Sequence, residues 1–352
     1  MITIFTPSFA DEADTNAQNL SAKEIVARLD PERAAVTMLH EGDTVDPRIA
    51  ARPNTRLLRW HKHGNTPRTV WHLLRNVPDI YFHPREGPLD AAFMNLRRHL
   101  RLKTAVVTRV VSGGLDSMSY SPARVRNILE ADAVFANNTY LALLVKEKLG
   151  VDARTIHNGI DRRYFFPPDS ARPQRDSVTA LYAGSLRPYK RVPLVVRQAA
   201  RWPQVQFRIA GIGEEEQLCK NLAAELKCRN VEFPGHLSLA RLGDEMRRAD
   251  IFFFPSILEG HPQVLGQAAA SGLPAVAMQI YRPDYVINDK TGFLVNTDAE
   301  LSEKLDLLIR QPELRRSMGE AAAVHAKKFD WEMIATQWQA AFEQAVAKRR
   351  KQ

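Results

Sequence analysis

FPSILEGHPQVLGQAAASGLP, residues Phe254–Pro274, decides the fold. It reads as the end of a short apolar strand, then a glycine-proline turn, then a helix of small residues that stops at Gly272. Such a turn points backbone N–H groups and the positive end of a helix dipole at one spot, which makes a seat for a phosphate. Glu259 stands just before the turn, and Gln267 lies eight residues further on, along the helix.

Outward from this stretch, short β-like runs alternate with amphipathic helices in two similar halves, the pattern of doubly wound parallel sheets. The first half has expected strands at Ile2–Thr6, Ala35–His40, Thr55–Leu58, Asp79–His83, Ala105–Val111, Ala133–Asn137 and Arg154–His157. The second has them at Thr179–Gly184, Gln206–Ala210, Val231–Pro234, Ile251–Pro255, Ala275–Met278 and Gly292–Val295. A length of 352 residues suits two domains of ordinary size. The division expected is a first domain over 1–160, a proline- and arginine-rich linker over 161–177, a second domain over 178–330, and a final helix with a basic tail over 331–352.

Composition narrows the class of protein. Forty-five per cent apolar residues without extreme bias indicate a globular chain rather than a disordered one. No apolar run reaches the roughly 18 residues of a membrane span, and the opening MITIFTPSF lacks the basic leader of a signal peptide. The expected location is the cytosol. Cys219 and Cys228 are nine residues apart and imply neither a disulfide nor a metal pair.

The net charge of +9 is unevenly spread: between Arg56 and Arg109, eleven lysines and arginines face only three acids, with Trp60, Trp71 and Tyr81 interleaved. Such a surface suits anionic lipid head groups, a phosphorylated acceptor or nucleic acid, or is a solvated arginine-rich helix face. His61-x-His63 has no third ligand beside it, and there is neither a G-x-S-x-G element nor a Walker loop.

In the Phe254–Pro274 stretch the chain resembles the retaining GT-B glycosyltransferases of family 4 (group 1), whose signature is an E-x7-E element followed by a small-residue helix and G-L-P. Gln267 stands where that family has its second glutamate. Two further stretches carry the resemblance. Asn158-Gly159-Ile160-Asp161, with Phe165 and Pro167, resembles the N-G-V-D-x-x-x-F-x-P element that closes the first domain. Gly184-Ser185-Leu186-Arg187-Pro188-Tyr189-Lys190-Arg191 resembles the G-R-L-x-x-x-K-G loop, with Ser185 in place of the family's arginine.

The resemblance implies two Rossmann-like domains facing a central crevice, a C-terminal helix that crosses back to the first domain, and a nucleoside diphosphate sugar as donor, with no cofactor or metal. It places Lys190 on the diphosphate, with Arg187 as the nearest substitute for the missing arginine. Glu259 falls on the hydroxyls of the donor sugar. The backbone of Gly260, His261, Pro262, Gln263 and Val264 falls on the sugar and distal phosphate, and Gln267 on the ribose diol. Gly184, Gly211 and Gly213 correspond to glycine turns beside the nucleotide, and His236 to a wall near the base. Metal-dependent transferases hold the diphosphate through an Asp-x-Asp pair, and no two aspartates here are two residues apart.

The first domain departs further. Asn16 and Ala17 occupy the place of the glycine pair that follows the first strand, and Thr108-Arg109-Val110 that of Thr-x-His, so the histidine is absent. His83 matches an earlier histidine position before the acceptor helix, and with Glu86 it is the acceptor-side candidate.

The function expected is retaining transfer of a sugar to a hydroxyl of a glycan or lipid-linked acceptor. The basic face would serve the acceptor or an anionic membrane on the cytoplasmic side rather than nucleic acid. A sugar-nucleotide epimerase and a non-catalytic GT-B partner subunit are the alternatives. The second follows from Ser185, Val110 and Gln267 together.

Overall fold

The computed structural model describes residues 1–12, 17–60, 65–111, 120–168 and 177–351. The chain forms two compact units. The first comprises Met1–Asn158 with Trp331–Gln352, and the second Gly159–Asp330.

Unit 1 is built on seven parallel strands, β1 (Ile2–Phe9), β2 (Ala34–His40), β3 (Thr55–Arg59), β4 (Ile80–Phe82), β5 (Ala105–Val110), β6 (Ala133–Ala136) and β7 (Ala153–Thr155), in the order 3-2-1-4-5-6-7. The order reverses between β1 and β4, so the loops after these strands and after β5 open at one place. Helices α1 (Ala17–Val26), α2 (Pro47–Ala50), α3 (Asn65–Arg75), α4 (Pro88–His99), α5 (Pro122–Leu129) and α6 (Thr139–Leu149) connect them.

Unit 2 repeats the scheme with six parallel strands, β8 (Thr179–Ala183), β9 (Gln206–Ala210), β10 (Val231–Gly235), β11 (Ile251–Phe254), β12 (Ala275–Met278) and β13 (Gly292–Val295), in the order 10-9-8-11-12-13. Its helices are α7 (Val192–Arg201), α8 (Glu216–Glu225), α9 (Leu239–Arg248), α10 (Gln263–Ala270), α11 (Asp298–Arg310) and α12 (Pro312–Ala326). β8 and β11 are buried along their whole length, as continuous apolar runs such as Ile251–Phe254 require of a sheet covered on both faces. The small residues of α10 are needed for close approach: a Cβ on Gly266 would lie 2.7 Å from Ile160 and from the ring of Tyr285.

All thirteen expected strands are present, with ends moved by up to three residues. The last helix, α13 (Trp331–Arg350), belongs to unit 1, where Trp338 and Phe342 pack edge-on against Phe82 of β4 at 5.3 and 5.0 Å between ring centroids. Its basic end is held by the same unit, Arg349 by Asp132 (3.5 Å) and Arg350 by Asp79 (2.9 Å).

The basic run of the first half does not form one surface. Arg97 is buried on Asp132 (2.5 Å) and the Thr104 carbonyl (2.9 Å), and Arg109 is buried within β5. Arg68, Trp71 and Arg75 share the exposed side of α3, with the Arg75 guanidinium stacked 3.9 Å from the Trp71 ring. Composition does not reveal which way an arginine turns. No described helix is long and apolar enough to cross a membrane.

Candidate functional site

In unit 2 the strand order makes β8 and β11 neighbours, and the two loops that leave their carboxyl ends carry the site. After β8 the chain turns at Gly184, runs to Arg187, makes a 3-10 turn at Pro188–Lys190, and enters α7 through Arg191. After β11 it passes Ser256 and Glu259 and enters α10 at Gln263. The Lys190 ammonium donates to Glu259 Oε1, and Ser256 Oγ donates to the same oxygen at 2.6 Å. Each partner of the ion pair is 12% exposed. Burial and the nearby Glu259 charge push up the pKa values of Tyr182 and Tyr281, which hold their phenols neutral around the carboxylate. The Tyr182 hydroxyl donates to the Ser185 carbonyl at 2.9 Å.

A cavity of about 330 Å³ opens at this point, lined by Ala183, Gly184, Lys190, Leu242, Glu259, Pro262, Gln263, Val264 and Gln267. No side chain caps the amino end of α10, so its first backbone N–H groups face the cavity without an intrahelical partner. A cation, a carboxylate and a helix amino terminus thus converge on a space of the size that polar ligands occupy. A larger cavity of about 540 Å³ lies at the opposite, amino end of the unit 1 strands, away from either switch point.

The glycines of the β9 loop shape the site without lining it. The backbone ladder continues past the strand ends: Gly184 N–H donates to the Ala210 carbonyl (3.0 Å), Leu186 N–H to Ile212 (3.0 Å) and Gly211 N–H to Gly235 (2.8 Å). A Cβ on Gly211 would sit 1.8 Å from the Gly184 carbonyl oxygen, and one on Gly213 would sit 2.4 Å from that of Leu186. Only glycine at both positions lets the two loops lie this close.

Other expected site residues are distributed differently. Arg187 is exposed and lies outside the cavity lining; its carbonyl accepts from Lys190 N–H at 2.9 Å, and its guanidinium forms no hydrogen bond or ion pair with a described residue. His236 is exposed at the end of the edge strand β10 and does not reach the cavity. The side chain of His261 is buried and stacked on Tyr285 at 4.0 Å. Asn16 lies outside the described residues, as do His61 and His63, and Ala17 begins α1. Sequence reading missed Ser256, the second hydrogen bond to Glu259, and Leu242, brought in from α9; neither belongs to a motif. Among the described residues no three His, Cys, Asp or Glu side chains come together as a metal site.

In unit 1 His83 follows β4 and is 4% exposed, with its backbone N–H donating to the Val107 carbonyl at 2.7 Å. Burial, followed by the charges of Arg109, Arg124 and Arg85, holds its pKa well below the ordinary value, so the imidazole is neutral. Arg109 donates to Ser21 Oγ and Asn158 Oδ1, while Val110 packs into the core under α5 and α6. Glu86 accepts from Ser121 Oγ at 2.6 Å.

Residues 168–325 match the family model of the glycosyl transferases group 1. A D-inositol 3-phosphate glycosyltransferase of Kribbella flavida is 28% identical over 261 residues, which cover 66% of this chain and 62% of that protein. The chain spans about half the length of the curated relatives it matches. Among solved structures, a sucrose-phosphate synthase of Thermosynechococcus elongatus superposes with a TM-score of 0.80 at 19% identity, over 99% of this chain and 100% of that one. Anabaena HepE in complex with UDP-glucose superposes with a TM-score of 0.74 at 17% identity, over 98% and 100%. At these identities the likeness is one of fold, and that fold is GT-B with two Rossmann-like domains.

Proposed function

We propose, on the premise that residues 168–325 form a glycosyl transferases group 1 domain, that this chain is a retaining, metal-independent glycosyltransferase. It would move a sugar from a nucleoside diphosphate sugar to a hydroxyl of a glycan or lipid-linked acceptor. The observation that carries the proposal is the convergence of Lys190, Glu259 and the free amides of α10 on one cavity at the unit 2 switch point.

The donor diphosphate takes the seat at the amino end of α10, where the helix dipole and unpaired N–H groups favour negative charge. Lys190 exchanges its carboxylate partner for a phosphate oxygen, and Arg187 swings in from solvent as the second cation. Glu259, released by Lys190 but still held by Ser256, accepts from the sugar hydroxyls. Gln267 meets the ribose diol through its amide oxygen, without the charge assistance of a glutamate, at a cost of about 1 kcal/mol. As the anomeric bond breaks, charge grows on the diphosphate, and preorganised cations and amides stabilise it there. The acceptor hydroxyl attacks from the face the diphosphate leaves, and a leaving phosphate oxygen takes its proton. This front-side route retains configuration and needs no enzymic nucleophile. His83 and Glu86 serve the acceptor from unit 1, and the exposed cations of α3 and α4 serve an anionic membrane on the cytoplasmic side.

The donor in the HepE complex is UDP-glucose, which makes uridine nucleotides the first to test. Calorimetry with UDP-, GDP- and ADP-sugars should give saturable binding for at least one, and NMR of the product should show an anomeric configuration equal to that of the donor. Binding of none of them would leave a non-catalytic subunit, and conversion of the donor without acceptor would leave an epimerase.

A further inference from the structure

We propose, resting on the glycosyltransferase reading above, that the carboxyl end of the unit 1 sheet is an oxyanion site in which Arg124, with Arg85, Arg109 and His83, holds a phosphoryl or carboxylate group of the acceptor.

Four observations converge. The residues sit where β4 and β5 end, beside the reversal of strand order, the place at which open α/β sheets take ligands. His83 adopts a left-handed backbone (φ +60°), a conformation a non-glycine residue keeps when its surroundings enforce it and one that gathers at ligand sites. Its ring is almost wholly buried, yet neither nitrogen has a hydrogen-bond partner among the described residues, which is rare for a buried polar group. The start of α5, which carries Arg124, docks on the loop after His83, Ser121 donating to Glu86 at 2.6 Å and Asn127 to the Arg85 carbonyl at 2.7 Å, and the charges of all three arginines act on that ring.

Arg124 is the arginine best placed to take a ligand. It is half-buried at the start of α5, where its backbone N–H donates to Ser121 Oγ at 3.2 Å; its guanidinium lies 4.2 Å from the centre of the Tyr120 ring and forms no hydrogen bond or ion pair with a described residue. Arg85 is steadied by Asn19 Oδ1 (2.5 Å) and the face of Phe9 (5.2 Å), and Arg109 by Ser21 and Asn158. The neighbouring acids are engaged elsewhere, Glu86 with Ser121 and Asp90 with the Tyr81 hydroxyl at 2.8 Å. Guanidinium forks match the paired oxygens of phosphate and carboxylate, and a neutral imidazole adds an N–H donor without a further charge.

The test follows the His83 imidazole by 15N NMR in the full chain, its signal assigned by loss in His83→Gln. Titration at pH 7.5 with inorganic phosphate, and separately with glucuronate, should shift that signal saturably, because a bound anion offsets the arginine charges. The stronger response names the acceptor group. Arg124→Gln should weaken the response at least tenfold and Arg124→Lys less. Lys190→Ala should leave it as in the parent, since Lys190 lines the unit 2 cavity and is no part of this site. A shift that fails to saturate with either anion, or one that Arg124→Gln leaves unchanged, would overturn the site. Nucleotide-sugar calorimetry on the same samples separates this failure from failure of the donor reading.

Discussion

Lys190 and Glu259 lie sixty-nine residues apart in sequence and form one part-buried ion pair, because β8 and β11 are neighbours at the reversal of strand order. Each holds the other in the position from which the donor would be gripped. Lys190→Ala should lower turnover by about 10²–10³, the loss expected for one preorganised charge-stabilising group. It also leaves Glu259, only 12% exposed, without its cation. The double variant with Glu259→Ala should therefore cost clearly less than the two single losses combined. Steady-state kinetics of the three variants decide it, and strictly additive losses would mean that the pair does not act as a unit.

Arg187 presents a different case, since it is exposed and its guanidinium has no hydrogen-bond or ion-pair partner among the described residues. If it closes on the diphosphate, Arg187→Ala should also cost about 10²–10³ in turnover while leaving stability within about 0.5 kcal/mol of the parent. EDTA should change nothing. Activity abolished by the chelator and restored by manganese would sink the metal-free route.

How far the fold could be read in the sequence depended on the kind of signal. Buried parallel strands announce themselves as apolar runs, and Ile251–Phe254 or Ala275–Met278 can hardly be read otherwise. The four-residue α2 escaped because one turn, capped by Asp46 and begun by Pro47, has no periodicity to detect. Glycines that line a turn look in sequence like glycines that support it: Gly211 and Gly213, expected beside the nucleotide, also make a close approach to Gly184 and Leu186 that no motif announces. Ser256 and Leu242 carry no motif, and only the folded chain brings the first to Glu259 and the second to the cavity. For Arg97 and Arg109, charge count alone suggested a surface, whereas burial on Asp132 in one case and within β5 in the other needed the structure.

Gly211→Ala offers a test of the loop architecture that touches no charged group. The added methyl would meet the Gly184 carbonyl at 1.8 Å, in a backbone conformation (φ +139°) that side chains rarely adopt. The β8 loop must move, and with it Lys190. Loss of about 3 kcal/mol in stability is expected from strain at such a position, accompanied by weaker donor binding. Denaturant melts and calorimetry measure the two, and a variant as stable as the parent would show that the loops are not packed as described.

His83 makes stability depend on pH in a direction that can be worked out. The unfolded chain binds a proton at this imidazole below its ordinary pKa of 6.5, while the folded chain, through burial and the charges of Arg109, Arg124 and Arg85, does not. Stability from this residue is complete above about 6.5 and falls as pH drops towards the folded value, by up to about 1.4 kcal/mol per unit. His83→Gln should flatten that slope. Urea midpoints at pH 7.5 and 5.5 for both proteins give the comparison, and equal slopes would mean that the ring is protonated in the folded state.

The outer side of α3 tests membrane recruitment. Arg68, Trp71 and Arg75 are exposed there, and Trp71 keeps 55% of its surface in solvent although tryptophan is normally well buried. On α4 Arg98, and just past its end the exposed Leu100, continue the same mixture of cations and apolar groups. An interfacial surface draws on both, the cations for anionic head groups and the indole for the boundary with the acyl chains. The protein should therefore sediment with phosphatidylglycerol vesicles at low salt and less so at physiological ionic strength, where exposed charges are screened over about 8 Å. Trp71→Ala should weaken the salt-resistant part of binding, and Arg68→Glu with Arg75→Glu the salt-sensitive part. Indifference to such vesicles at low salt, together with full activity on a neutral soluble acceptor, would reduce this face to a solvated helix.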